Sequence, residues 1–78
     1  MESVPDGSRV LYKNCGNGEL SLMAALWRKH LNVTAFDTDK DAIAIASHCF
    51  SVPQNLTYTT EQPDETQYDF IIDEKELL

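Results

Sequence analysis

The chain has 78 residues, 42% of them hydrophobic and 24% charged, ordinary values for one small globular domain and against wholesale disorder. A fold of this size buries roughly 60% of the surface its unfolded chain exposes, enough for one modest core and too little for a deep enclosed pocket. The 6 Lys and Arg against 13 Asp and Glu leave a net charge of −7, which argues against a nucleic-acid partner because phosphate binding runs on Lys and Arg.

Residues 1–8 read as an arbitrary start and a linker, with Val4-Pro5-Asp6-Gly7 leading into the first strand at 9–13, RVLYK. The turn-forming stretch NCGNG follows, and from Glu19 the apolar period becomes helical. Leu20, Met23, Ala24 and Trp27 form a stripe that Leu22, Ala25 and Leu26 widen, so a helix over 18–30 with Met23 and Trp27 in the core is expected. Arg28, Lys29 and His30 suit the negative end of that helix dipole. Residues 32–37, NVTAFD, predict a second strand, and Thr38 and Asp39 are good N-cap residues for a second helix. That helix runs from 39 or 40 to 49 or 50, with Ala42, Ile45, Ala46 and Cys49 on one face and Pro53 discouraging continuation. NLTYTT at 55–60 predicts a third strand, EQPDETQ a polar loop, and YDFIID at 68–73 a fourth strand. The tail at 74–78 is too short to assign.

The order β-α-β-α-β-loop-β indicates an α/β fold with parallel crossovers. We expect a Rossmann-like, two-layer domain over 9–73, a four-stranded parallel sheet in the order 3-2-1-4 with both helices on one face. The last connection has about eight residues to cross two strands, so it must run nearly straight and leave no room for a helix. Strand alternation turns Val10, Tyr12, Val33, Ala35, Leu56, Tyr58, Phe70 and Ile72 toward the helices. Arg9, Leu11, Lys13, Thr34, Phe36, Thr57, Thr59, Asp69 and Ile71 face the other way. On that mixed, open face Leu11, Phe36 and Ile71 would form an apolar patch for another domain of a larger protein or for self-association. No apolar run reaches the ~18–20 residues of a membrane span, and the opening MESVPDGSRV is unlike a signal peptide. Cys15 and Cys49 are the only cysteines. They match neither a secreted disulfide framework nor a zinc spacing, so a reduced, cytoplasmic, metal-free chain is expected.

Chemistry concentrates in Val10-Leu11-Tyr12-Lys13-Asn14-Cys15-Gly16-Asn17-Gly18, between the first strand and the first helix. Glycine there lets the backbone approach a ligand, and the helix offers free N–H groups and a positive dipole end. Asp37, 19 residues after Gly18, ends the second strand, where an acid can accept hydrogen bonds from two ribose hydroxyls. A bland reading stands beside each of these. The glycines could form a plain tight turn, Asp37 could serve the next helix start, and Cys15 could be a buried filler.

VLYKNCGNG, VTAFDTDKDAIAIA and YDFII together resemble the N-terminal half of the class I S-adenosylmethionine-dependent methyltransferases. The first family motif usually reads V-L-D-x-G-C-G-x-G. The resemblance implies a cofactor loop at Cys15, Gly16 and Gly18, a ribose-binding acid at Asp37, a residue beside the adenine at Thr38 and an adenine contact at Glu61. Tyr12 stands where the family usually has the acid that holds the methionine end of the cofactor, and Asn14 replaces the first glycine. A degenerate or truncated methyltransferase-like domain, acting as a non-catalytic accessory module of a larger protein, is the leading expectation. The alternatives are the cofactor-binding part of an active methyltransferase and a protein-interaction module.

Overall fold

The computed structural model describes residues 5–49 and 51–77. In chain order the elements are β1 (Arg9–Lys13), α1 (Glu19–Trp27), β2 (Asn32–Phe36), α2 (Lys40–Cys49), β3 (Leu56–Thr59) and β4 (Phe70–Asp73). One 3-10 turn at Glu65–Gln67 precedes β4, and another at Glu74–Leu77 follows it. The strands form a single parallel sheet in the order β3-β2-β1-β4. Val10 pairs with Val33 on one side and Phe70 on the other, and Val33 pairs with Leu56. The expected α/β topology is therefore present. Val10, Tyr12, Val33, Ala35 and Leu56 share one core cluster with Ala24 and Ala25 of α1 and Ile43 of α2, so both helices cover the same face. None of the described helices is long and apolar enough to cross a membrane.

Helix α1 departs from expectation in length and in rotation. It ends at Trp27 because Arg28 leaves helical geometry (φ −114°, ψ 82°) while its N–H still donates to the Ala24 carbonyl. The Asn55 side-chain amide then donates to the carbonyls of Ala25, Arg28 and Leu31 at 3.0–3.2 Å, closing the exposed end of the helix. Arg28, Lys29 and His30 thus lie past the helix, and the Arg28 guanidinium pairs with Asp6 at 2.9 Å. The face turned to the sheet is Ser21, Ala24 and Ala25. Leu20, Met23 and Leu26 are exposed, and Trp27 is 78% exposed, so the expectation of Met23 and Trp27 in the core is overturned. The helix is apolar around much of its circumference, and its periodicity could not select the inner side. The small side chains face inward, where a close approach of helix to sheet leaves space for little else.

Helix α2 begins where expected. The Asp39 carboxylate accepts from the N–H groups of Asp41 and Ala42, the standard satisfaction of first-turn donors. Ile43 and Ala46 are buried, whereas Ile45, expected inward, is exposed. The side chain of Cys49, expected on the inner face, is outside what the structure describes, as is the start at 1–4. The described part of the linker is tied down: the Gly7 N–H donates to the His30 carbonyl at 2.8 Å, and Ser8 is buried.

The second face of the sheet is not open. Leu11 is 0% exposed and Phe36 5%, against 42% for Ile71. Neither Leu11 nor Phe36 belongs to the helix-side cluster, so the alternation of faces holds while the expected apolar patch does not. The β3–β4 connection runs over this face, from the end of β3 to the start of β4. Its Glu65 carboxylate pairs with Lys13 at 3.1 Å. Its Pro63 and Tyr68 enclose a cavity with Thr34, Thr57 and Thr59 of that face. At its lower end Asp69 brackets Arg9: the Asp69 N–H donates to the Arg9 carbonyl, and the Arg9 N–H to the Asp69 carboxylate. The strap also holds a 3-10 turn, contrary to expectation, with the Asp64 side chain accepting from the Thr66 N–H. Three residues at ~2.0 Å rise each consume little of its reach.

Candidate functional site

The turn after β1 winds through three left-handed residues, Asn14 (φ 56°), Gly16 (φ 56°) and Gly18 (φ 79°). Asn14 accepts this geometry more readily than most side chains. Its side-chain amide donates to the Asp73 carboxylate at 2.8 Å and so clamps the turn to the end of β4. That bond holds the Asp73 carboxyl below its usual range. The two glycines serve different ends. A Cβ on Gly18 would stand 2.6 Å from the Tyr58 ring of β3, so ring packing as well as φ excludes a side chain. A Cβ on Gly16 would meet nothing within 4 Å, which leaves its backbone bare toward open space.

Asp37, one residue past β2, braces this turn. One carboxylate oxygen accepts the Gly16 N–H at 2.9 Å, and the other accepts the Asp39 N–H at 2.9 Å. Each oxygen keeps a further lone pair for a ligand. Beside it opens a cavity of about 400 Å³ lined by Asn14, Cys15 and Gly16 of the turn, Leu20 of α1, Asp37, and the Glu74–Lys75 pair after β4. The volume lies within the ~300–1,000 Å³ of small-molecule sites. No side chain caps the start of α1, which begins at the same turn.

The electrostatics of this cavity are dominated by carboxylates. Burial, aided by the negative charge of Asp37, pushes the Glu74 carboxyl up to about 7. Its Oε2 is buried and has no hydrogen-bond partner among the described residues. Burial first, then the charges of Glu74 and Asp37, pushes the Cys15 thiol up to about 12. A thiol so rarely ionised is a poor nucleophile, and Cys15 acts as buried filler of the turn. The Tyr12 hydroxyl is also raised, by burial and then by Glu74. Among the described residues, no group of three or more His, Cys, Asp or Glu is arranged to hold a metal ion.

Of the six positions expected to contact a cofactor, Cys15, Gly16 and Asp37 come together at the cavity, with Gly18 behind them against Tyr58. Thr38 is exposed beside Asp37. Glu61 falls elsewhere, at a cavity of about 310 Å³ under the strap with Thr34, Thr57 and Thr59. The reading of the sequence missed Glu74, Lys75 and Leu20. A signal for the first two was present: acids and bases directly after an apolar strand lie at the carboxyl end of a parallel sheet, where ligands bind.

No protein-family model matches the sequence, and no curated protein matches it. Solved structures do. A TehB-like SAM-dependent methyltransferase from Corynebacterium glutamicum superposes with a TM-score of 0.71 at 22% identity, over 92% of this chain and 39% of that one. Coclaurine N-methyltransferase bound to N-methylheliamine and SAH superposes with a TM-score of 0.72 at 28% identity, over 90% of this chain and 22% of that one. The chain spans well under half the length of either. These likenesses establish a Rossmann-like, methyltransferase-type fold.

Proposed function

We propose that the chain is a cofactor-holding methyltransferase-like module that binds S-adenosylmethionine and performs no transfer by itself. The observation that carries this reading is the bare Gly16 backbone, held by Asp37 at the mouth of the cavity. The spare lone pairs of Asp37 suit two ribose hydroxyls, the uncapped start of α1 suits electron-rich groups, and Thr38 flanks the adenine side. Glu61 has no part in this arrangement. S-adenosylmethionine would bring a methyl group on a positively charged sulfur. The thiol of Cys15 stays protonated beside it, and a wall for a methyl acceptor must come from outside the described residues. In this reading the functional unit is 9–73 extended by Glu74, acting as an accessory module of a larger protein.

Titration of the labelled chain with S-adenosylmethionine, followed by amide NMR shifts, tests the reading. Binding is expected near roughly millimolar, about −4 kcal/mol. Shifts should concentrate at Cys15, Gly16, Asp37 and Glu74, and Asp37→Ala should abolish them. Shifts centred on the strap around Glu61, or none at all, would overturn it.

A further inference from the structure

We propose that Glu74 is the carboxylate that receives the α-ammonium group of the bound cofactor, a role that Tyr12 cannot fill at the end of β1. The inference rests on the cofactor reading above and names a binding residue within it. Oε2 of Glu74 is an acceptor buried without a donor. An unmade hydrogen bond of this kind is costly, and a ligand donor would satisfy it. Asp37 already accepts two backbone N–H groups, so the buried carboxylate oxygen at the cavity that lacks a partner among the described residues belongs to Glu74. Lys75 lines the same cavity but forms no ion pair with Glu74 among the described residues.

The chemistry of the missing partner follows from these facts. Two carboxylates, Asp37 and Glu74, repel each other across the site, and a cation between them would relieve that repulsion. An orphaned acceptor also needs N–H or O–H donors. A sulfonium is a cation without donors, and a ribose hydroxyl is a donor without charge. An ammonium supplies three donors and the charge together. The position is held firmly, because the Asn14–Asp73 bond and the Lys75 N–H on the same Asp73 oxygen pin this corner to the glycine turn. Tyr12, buried in the helix-side core, offers a neutral phenol in place of a carboxylate.

Three nucleosides separate the alternatives in NMR titrations of the full chain: S-adenosylmethionine, S-adenosylhomocysteine and methylthioadenosine, which lacks the amino-acid end. Glu74→Gln should weaken the first two by about tenfold and leave methylthioadenosine unchanged. Glu74→Asp, which keeps the charge, should recover part of the loss. If only S-adenosylmethionine weakens, the carboxylate faces the sulfonium and the assignment is wrong. Equal weakening of all three ligands, or of none, would also reject it. A wild-type chain that binds methylthioadenosine as well as the other two rejects the ammonium contact while sparing the cofactor reading. A wild-type chain that binds none of the three overturns both.

Discussion

Glu74 and Cys15 meet at one cavity wall, and burial moves both toward their neutral forms. For the carboxylate this has a consequence for stability. Below its ordinary value of 4.5 both folded and unfolded chains hold the proton. Between 4.5 and about 7 the unfolded chain releases it and the folded chain does not. The unfolded state therefore binds fewer protons, and stability falls as pH rises through that window. The loss should be on the order of 1–2 kcal/mol once the side chain's partial exposure is discounted. Asp73, with its carboxyl lowered from 3.8, acts at the acid side of this window, and Cys15 and Tyr12 titrate well above it. Denaturant unfolding from pH 4.5 to 8 should show a steeper decline in the wild-type chain than in Glu74→Gln. Equal slopes in the two chains would mean that Glu74 is solvated.

Helix α1 carries Leu20, Met23, Leu26 and Trp27 on the outside and, Leu22 apart, turns its small side chains to the core. Trp27→Ala should accordingly change stability by less than about 0.5 kcal/mol, as for other surface substitutions. Ala25→Leu, at a position with no exposed surface, should cost ~1–3 kcal/mol by overpacking. The fluorescence of Trp27, the single tryptophan, should be readily quenched by iodide in the folded chain. A protected tryptophan and a tolerant Ala25 would mean that the helix is rotated the other way. The same element illustrates why sequence patterns under-determine a short helix. With apolar residues at 20, 22–27 and no clear polar face, every rotation offers a plausible stripe. Asn55, distant in sequence, closes the end of the helix, and no local signal in α1 announces it.

The whole molecule is a one-sided helix layer, a sheet and a polar strap. The strap of mostly polar residues crosses the face on which Leu11 and Phe36 are buried, tied to it at Lys13 and beside Thr34, Thr57 and Thr59. Phe36→Ser should therefore unfold or strongly destabilise the domain, by at least about 3 kcal/mol, a large share of the ~4–12 kcal/mol available to a chain this long. Thermal melting would register this as a fall of roughly 12–24 °C. A melting point within a few degrees of wild type would mean that the strap leaves Phe36 solvated.

Strand alternation, the glycine turn, the Asp39 cap and the short last connection were legible in the sequence because each depends on neighbours within a few residues or on the fixed handedness of parallel crossovers. They determined the strand order, the common face of the helices and the meeting of Cys15, Gly16 and Asp37. What they could not determine depends on residues far apart in the chain. The strap is held to this face because Glu65 reaches Lys13, 52 positions away. Glu74 enters the cavity because Asp73 is held by Asn14, 59 positions away. The inner side of α1 was decided by which residues let the helix approach the sheet closely, a steric condition that exists only once helix and sheet are packed together.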